Sequence, residues 1–179
     1  MGSDRNWHLA QANIARMKVP IEHPSMDNFR AQLDAINALA DASPGFVWRL
    51  QTAAGNATDI QAFDDPLLLF NMSVWQDVDA LHAYTYRSAH SGPLRARREW
   101  FEPAHAPSFV LWWIPASHVP AIEEAKEKLR LIAERGPTSE AFTFRDRFAP
   151  PDTGVDTPSA VSSTAGAEER LLPETHSPS

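Results

Sequence analysis

The chain has 179 residues, a net charge of −7 and no cysteine, which excludes disulfides and thiolate metal ligands. Residues 149–179 hold five acids against one base, no aromatic residue and five of the 15 prolines. Such a composition is typical of disordered segments, because it cannot bury enough apolar surface to offset the entropy lost on ordering. We therefore predict a folded domain over residues 1–148 and a disordered acidic tail over residues 149–179.

The part of the chain before this tail is nearly neutral, with 18 acids and 15 bases. A nucleic-acid-binding surface would need an excess of basic residues, so no nucleic-acid partner is expected. The longest apolar run, from Phe109 to Ile114, is too short to span a bilayer. The first residues also lack the apolar stretch of a signal peptide. The sequence predicts no membrane partner and a cytoplasmic location.

Apolar spacing in the first third of the chain predicts a strand, a helix and a second strand. Residues 7–14 are compatible with a strand, and apolar residues three and four apart over residues 29–40 predict a helix with one buried stripe. The period then changes to two, which predicts a half-buried strand with Phe46, Trp48 and Leu50 on the same face.

The next strand and helix carry several candidate functional residues. Residues 67–75 alternate so that Asn71, Ser73 and Trp75 share one face and four apolar side chains share the other. Asp77 is then placed to cap a helix that extends to about residue 87.

Four further elements complete the predicted fold. Residues 93–101 predict a short helix, and residues 109–114 predict a central strand that is apolar on both faces. Residues 120–134 predict a third long helix. Aromatic alternation over residues 141–148 predicts a last strand.

The predicted order, β-α-β-β-α-α-β-α-β, contains the split β-α-β arrangement of ferredoxin-like α+β folds. In this arrangement helices cover one face of an antiparallel sheet. The other face needs a cover, since Trp48 or Trp75 together with Trp112 or Trp113 would expose a large apolar patch in a monomer. We therefore predict a homodimer in which two sheets pack face to face.

Several motifs carry a family resemblance. They are Ser73-Val74-Trp75, Tyr86-Arg87-Ser88-Ala89-His90, Arg97-Arg98-Glu99-Trp100-Phe101, Val110-Leu111-Trp112-Trp113-Ile114-Pro115-Ala116 and Gly136-Pro137-Thr138 with Ala141-Phe142-Thr143-Phe144. Together they resemble a bacterial and fungal domain-of-unknown-function family in the dimeric α+β barrel superfamily, alongside antibiotic-biosynthesis monooxygenases. The resemblance covers about residues 7–150 and implies a dimeric α+β barrel. The superfamily includes cofactor-free monooxygenases, haem proteins and isomerases, so function cannot be inherited from the fold.

His90 and Arg97 are the candidate catalytic residues. An imidazole titrates near neutral pH, so His90 would serve as a general acid and base, with Tyr86 on the same helical face as a substrate-binding residue. Arg97 precedes Trp100 by three residues, on the side that the aromatic residues bury, and would stabilise an anionic oxygen. The alternative is structural: a histidine favoured by the helix dipole and an arginine on a solvated helix face.

Asn71, Trp75 and Trp113 are the further candidates for substrate binding. Trp112 and Trp113 must point to opposite sides of their strand, so one of them faces any interior cavity and provides an aromatic wall. Trp75 is a second candidate for this wall, and the polar side chain of Asn71 on the same strand face would orient a ligand.

The histidines do not follow a metal-ligand spacing such as HExxH or His-x-His, so no metal site is predicted. No cofactor is predicted either. Haem needs only one axial histidine, which His82, His90 or His105 could provide, and haem binding stays open as an alternative.

These residues together predict a small-molecule metabolic enzyme. It would be a cofactor-independent monooxygenase or an isomerase that acts on a flat, largely apolar, oxygenated substrate, since an enolate-forming substrate reacts with oxygen once it is deprotonated and shielded from water. A non-catalytic ligand-binding or stress-associated homodimer is the alternative. An interior filled by side chains, without a cavity of a few hundred Å³, would favour that alternative.

Overall fold

The computed structural model describes residues 6–90 and 97–151, with the side chains of residues 88–90 left out. The elements, in chain order, are β1 (Trp7–Arg16), α1 (Asp27–Asp41), β2 (Phe46–Arg49), β3 (Leu68–Trp75), α2 (Val78–His90), α3 (Arg97–Trp100), β4 (Phe109–Pro115) and α4 (Ile122–Arg135). The four strands form an antiparallel sheet in the order β2-β3-β1-β4. This is the predicted ferredoxin-like α+β fold.

Two predictions concern, in whole or in part, residues outside these described ranges. The disordered tail predicted for residues 149–179 lies, beyond residue 151, outside the described residues. The start of the short helix predicted over residues 93–101 also lies outside them, up to residue 96. Within the described ranges, none of the helices is long and apolar enough to cross a membrane.

Strand alternation divides the sheet into two faces. Ala10 pairs with Val74 on β3 and with Trp112 on β4, whereas the neighbouring Leu9 pairs with Trp75. Successive side chains of a strand point to opposite faces, and directly paired residues point to the same face. We call the face of Ala10, Val74 and Trp112 the α4 face, and the face of Leu9 and Trp75 the α1–α2 face.

The α4 face is an apolar core covered by α4. The helix buries Ala125, Leu129, Leu131 and Ile132 against side chains from β1, β3 and β4. The helices α1, α2 and α3 share one face of the sheet, as predicted. α4 lies on the opposite face, where its apolar stripe packs against apolar side chains of the sheet.

This arrangement also changes the argument for a dimer. The predicted dimer depended on a second sheet face left uncovered in the monomer. In the structure, α4 covers this face together with Ala62 and Phe63, and Trp112 is 1% exposed. The homodimer stays a prediction, and a bare sheet face no longer supports it.

The α1–α2 face is covered by the two helices after which it is named. A close contact at Gly45 brings the end of α1 to the start of α2: its φ is +81°, and an added Cβ would lie 2.5 Å from the Cβ of Ala80. Glycine is the residue that adopts this backbone conformation without strain. Asp77 caps α2 as predicted, because its Oδ1 accepts a hydrogen bond from the Ala80 backbone N–H at 2.8 Å.

The face assignment predicted for β2 is wrong. Phe46 pairs with Trp75, on the α1–α2 face, whereas Trp48 pairs with Val74, on the α4 face. The register shifts between these two residues, so Val47 occupies a β-bulge. A bulge inserts one extra residue and thereby exchanges the faces of the residues that follow it.

The predicted last strand over residues 141–148 is also wrong. Phe142 exchanges two backbone hydrogen bonds with Leu111 on β4, at 2.8 and 2.9 Å, as an isolated bridge. Immediately afterwards, Thr143 Oγ1 accepts a hydrogen bond from the backbone N–H of Arg145 at 3.3 Å. Such a side-chain bond turns the chain and competes with strand pairing.

Candidate substrate pocket

A pocket of about 350 Å³ lies between the α1–α2 face of the sheet and the helices α1, α2 and α3. Alternate residues of β1 and β3 form its floor, and α1 and α2 form its roof. Small-molecule sites span roughly 300–1,000 Å³, so the pocket is large enough for a small ligand. The interior is therefore not filled by side chains, which removes one argument for the non-catalytic alternative.

The floor of the pocket carries four polar side chains in its centre. Gln11 pairs with Ser73 across β1 and β3, and Asn13 pairs with Asn71. We call these four residues the polar stripe. All four line the pocket, and the floor residues on either side of the stripe are apolar. A ligand on this floor would therefore contact amide and hydroxyl groups at its middle and apolar groups at its ends.

Hydrogen bonds connect three members of the polar stripe and one aromatic residue. Gln11 Nε2 donates to Asn71 Oδ1 and to Ser73 Oγ, each at 2.9 Å. The indole N–H of Trp75 also donates to Ser73 Oγ at 2.9 Å. These bonds compensate for the burial of Gln11 and Ser73, which would otherwise destabilise the fold.

An aromatic group stands at one end of the polar stripe. Trp75 is fully buried and stacks on Tyr84 of α2, with ring centroids 4.9 Å apart and an angle of 24° between the rings. Phe46 packs edge-on against the same indole at 5.4 Å. Burial raises the pKa of Tyr84, while Arg49 lowers it and Asp41 raises it, so its phenol stays neutral at physiological pH.

A second aromatic group stands at the other end. Phe29 of α1 contacts Trp100 at 5.5 Å and Phe101 at 5.2 Å between ring centroids. Arg97 lines the pocket beside them, with its guanidinium carbon 5.7 Å from the centre of the Phe101 ring. The two aromatic groups form walls suited to a flat ligand, with a cation at one of them.

A second arginine lines the opposite end of the pocket. Arg49 of β2 donates to both carboxylate oxygens of Asp41, at 2.8 and 3.2 Å, and to the carbonyl oxygen of Gly55 at 2.8 Å. Its charge is thus largely compensated by Asp41. Arg97 is therefore better placed than Arg49 to meet a ligand anion.

Three sequence-predicted site residues line this pocket, and two lie elsewhere. Asn71, Trp75 and Arg97 are brought together by β3 and α3. Tyr86 lies outside the lining and is 62% exposed. Trp113 shares the face of Trp75 but is covered by the C-terminal segment, and its indole N–H donates to the Phe148 carbonyl oxygen at 2.9 Å.

The histidines do not supply a base to the described lining of the pocket. The side chain of His90, the predicted acid and base, lies outside the described residues, although its backbone ends α2. His82 is exposed and packs edge-on against Phe144 at 5.3 Å. His105 is exposed as well. Neither His82 nor His105 lines the pocket, so neither would hold haem there.

Metal ligands are not grouped in the part of the chain that the structure describes. No set of three or more His, Asp or Glu side chains in residues 6–90 and 97–151, with the side chains of 88–90 left out, could hold a metal ion. The described residues of the pocket instead provide amides, hydroxyls, aromatic rings and two guanidinium groups.

Sequence reasoning missed Gln11, Asn13, Tyr84 and Arg49. A signal existed for the first two, because Gln11 and Asn13 alternate with Ala10 and Ala12 in the same period that identified Asn71. For Arg49 no such signal existed, since the bulge in β2 reversed its face.

Residues 8–157 match the family described as domain of unknown function (DUF3291), and the chain belongs to that family. This membership confirms the resemblance seen in the sequence motifs. No curated protein matches the chain.

Solved structures with a similar fold were also found. SnoaB, a cofactor-independent oxygenase from Streptomyces nogalater, is 16% identical with a TM-score of 0.39, over 63% of this chain and 95% of that one. PA3566 from Pseudomonas aeruginosa is 13% identical with a TM-score of 0.43, over 65% of this chain and all of that one. A Chloroflexus aurantiacus protein, provisionally described as an antibiotic biosynthesis monooxygenase, is 14% identical with a TM-score of 0.34, over 64% and 98%.

Proposed function

We propose that the protein is an enzyme that binds a flat, largely apolar, oxygenated small molecule and oxygenates it without a bound cofactor. The observation that carries this proposal is the polar stripe between two aromatic groups, in a pocket of about 350 Å³. The aromatic groups would hold the rings of the substrate, and the stripe would hydrogen-bond its oxygen atoms.

A suitable reaction is the oxidation of an activated ring methylene to a ketone. With anthrone as the substrate, anthrone and O₂ give anthraquinone and water. Loss of one proton from the methylene gives an enolate, which then reacts with O₂. The substrate carbon gives up four electrons, one oxygen atom becomes the ketone and the other leaves in water. Because the substrate supplies every electron, the reaction needs no external reductant.

Chain residues would assist this reaction in three ways. Arg97 would stabilise the enolate charge, and Asn71 would bind the oxygen that carries it. Trp75 and the opposite aromatic group would hold the rings and exclude water. We assign the proton-abstracting role to His90, at the end of α2. Unchanged turnover in a His90→Ala variant would contradict this last assignment.

Binding without catalysis is the second candidate function. One observation favours it: the described lining of the pocket contains no carboxylate and no imidazole. Isomerisation would need the same proton transfer as oxygenation, so a base is the requirement that separates both reactions from simple binding.

Anthrone oxidation in air tests the proposal. We expect O₂ uptake and anthraquinone formation above the rate without enzyme, and at least a tenfold lower kcat/KM for Asn71→Ala, equivalent to about 1.4 kcal/mol. Val119→Ala is the control, since Val119 is exposed and lies outside the pocket lining. Tight anthrone binding without O₂ uptake would favour the second candidate.

Native mass spectrometry would test the proposed homodimer and report any retained ligand or haem.

A further inference from the structure

Gln11 lies in the centre of the pocket floor and donates both hydrogens of its amide nitrogen to neighbouring side chains. The acceptors are Asn71 Oδ1 and Ser73 Oγ, each 2.9 Å from Gln11 Nε2. Gln11 is 5% exposed and lies directly opposite Ser73 in the strand register. An amide nitrogen has only two hydrogens, so the donor end of Gln11 is fully engaged within the floor.

These bonds determine which groups Asn71 offers to a ligand. Because Asn71 Oδ1 accepts from Gln11, the end of its amide that is turned away from Gln11 is the nitrogen, with two N–H donors. Among the described residues, no acceptor for Asn71 Nδ2 is found. Asn71 lines the pocket and is exposed, so a bound molecule can reach these donors.

The hydrogen bonds of Ser73 likewise leave it a donor toward a ligand. Its Oγ accepts one hydrogen bond from Gln11 and another from the Trp75 indole, each at 2.9 Å. A hydroxyl oxygen has two lone pairs, so both are in use and the O–H group remains a donor. The two residues next to each other on the floor therefore present donors rather than acceptors.

We infer that Gln11 is a positioning residue that turns the donor groups of Asn71 and Ser73 to the pocket and thereby selects ligands presenting an acceptor oxygen, such as a ketone, an enolate or a phenolate. This inference rests on the proposed function and adds to it the ionisation state of the bound oxygen. A glutamate at the same position would reverse the floor, because its carboxylate would accept from Asn71 and Ser73. The oxygen of the Asn71 amide would then face the ligand.

A coloured phenol measures this property directly. The phenol and phenolate forms of 4-nitro-1-naphthol absorb at different wavelengths, so an absorbance titration gives the pKa of the bound probe. Donors stabilise the phenolate and lower this pKa, whereas acceptors stabilise the phenol and raise it. In the wild-type protein we expect the bound probe to have a pKa at least about one unit below its value in buffer.

Substitutions at position 11 separate this effect from the charges around the pocket. Arg97 and Arg49 also favour a phenolate, Asp41 beside Arg49 opposes it, and Tyr84 is neutral, but a change at Gln11 leaves all of these in place. Relative to wild type, Gln11→Glu is expected to raise the pKa of the bound probe by at least about one unit, both by reversing the Asn71 amide and by its own negative charge. Gln11→Leu removes both donors and adds no charge, so the smaller rise expected for it reports the hydrogen bonds alone.

A second variant and a control protect the test against misfolding. Asn71→Asp leaves Gln11 in place and puts an acceptor oxygen where the N–H donors were, so it should raise the pKa of the bound probe in the same direction. Ser43→Ala is the matched control. Ser43 is buried and its hydroxyl donates to the Leu39 carbonyl oxygen at 2.6 Å, outside the pocket lining. We expect no change in the pKa of the bound probe for this variant, whose thermal unfolding is measured beside the others.

The outcomes distinguish this inference from the proposed function. Equal pKa values of the bound probe in wild type and Gln11→Leu would overturn the inference and leave the binding function standing, since this variant changes the hydrogen bonds without adding a charge. A bound probe with a raised pKa in the wild-type protein would also overturn it, since Asn71 would then turn its oxygen to the ligand. Failure of the wild-type protein to bind the probe in either ionisation state would contradict the proposed function itself.

Discussion

The two faces of the sheet differ in what they bury. On the α4 face, Ala10, Ala12, Met72 and Val74 are at most 1% exposed and pack into one apolar core beneath α4. On the α1–α2 face, the intervening positions of the same two strands hold the polar stripe and the pocket. Neighbouring residues of one strand therefore belong either to a closed core or to a pocket, on opposite faces of the same sheet.

The sizes of the side chains explain why one face closes and the other does not. Alanines at positions 10 and 12 let α4 approach the sheet closely, with Trp112 filling the space beside them. On the α1–α2 face, the stacked pair Trp75 and Tyr84 packs between the sheet and α2 at one end of the pocket. Bulky aromatic groups at the two ends leave a gap over the small polar residues between them.

The largest effect that tests this comparison is expected for Trp112→Ala. Trp112 is 1% exposed and its indole N–H donates to Glu124 Oε1 at 2.8 Å. Removing the ring leaves a cavity in a close-packed core and should reduce the free energy of unfolding by about 3–5 kcal/mol. Urea unfolding measures this, with Val119→Ala as an exposed control. A loss below about 1 kcal/mol would mean that the α4 face is not closed.

Two alanines on β1 offer a matched comparison of the two faces. Ala12 is fully buried on the α4 face, whereas Ala15 lines the pocket. We expect Ala12→Leu to overpack the core and destabilise the fold by about 1–3 kcal/mol. We expect Ala15→Leu to change stability by less than about 0.5 kcal/mol and to weaken binding of the naphthol probe, because the added methyl groups enter the pocket. Equal thermal destabilisation by both changes would contradict the difference between the faces.

The effect expected at Glu124 is smaller than that at Trp112, and it depends on pH. Burial opposes ionisation of Glu124, but hydrogen bonds from His118 Nε2 at 2.6 Å and from the Trp112 indole outweigh burial and hold the pKa of Glu124 below its ordinary value. A carboxylate with a lowered pKa stabilises the fold above its ordinary pKa, and this contribution is lost as the pH falls through the lowered value. We expect Glu124→Gln to cost about 1 kcal/mol at neutral pH.

The same comparison in acid completes this prediction. At a pH well below 4.5, the ordinary value for this carboxyl, the unfolding free energies of wild type and Glu124→Gln should converge. Urea unfolding at the two pH values measures the difference. A constant difference between the two proteins across this range would show that the ionisation of Glu124 does not contribute to stability.

Alternation along a regular strand was sufficient to predict which residues of β3 share a face. Asn71 and Trp75 were assigned to the same face of β3 from sequence alone, and the structure places both in the pocket. The apolar stripe of α4 was also predicted correctly, with Ala125 and Leu129 buried. These predictions succeeded because the period of a regular element depends only on the local backbone.

Other predictions failed where the backbone departs from a regular element or where the answer depends on distant residues. A bulge at Val47 changed the faces of β2, and a turn at Thr143 ended the last predicted strand. Tyr86 was predicted as a substrate-binding residue from its spacing to His90, and this stays a prediction, although Tyr86 does not line the described pocket. Spacing on one helix does not tell which face meets the sheet. The role of Gln11 needed the cross-strand register, which joins residues 60 positions or more apart.

The sequence by itself determined the strands β1 to β4 and the helices α1 to α4 in their order, the ferredoxin-like α+β fold, and the family to which the chain belongs. Tertiary structure decided that α4 closes one face of the sheet and that the pocket lies on the other. It also brought the amide nitrogen of Gln11 within hydrogen-bonding distance of Asn71 and Ser73. The physical reason is that periodicity is a local property of the backbone, whereas which surfaces meet, and which polar groups pair across strands, depends on packing among residues far apart in the chain.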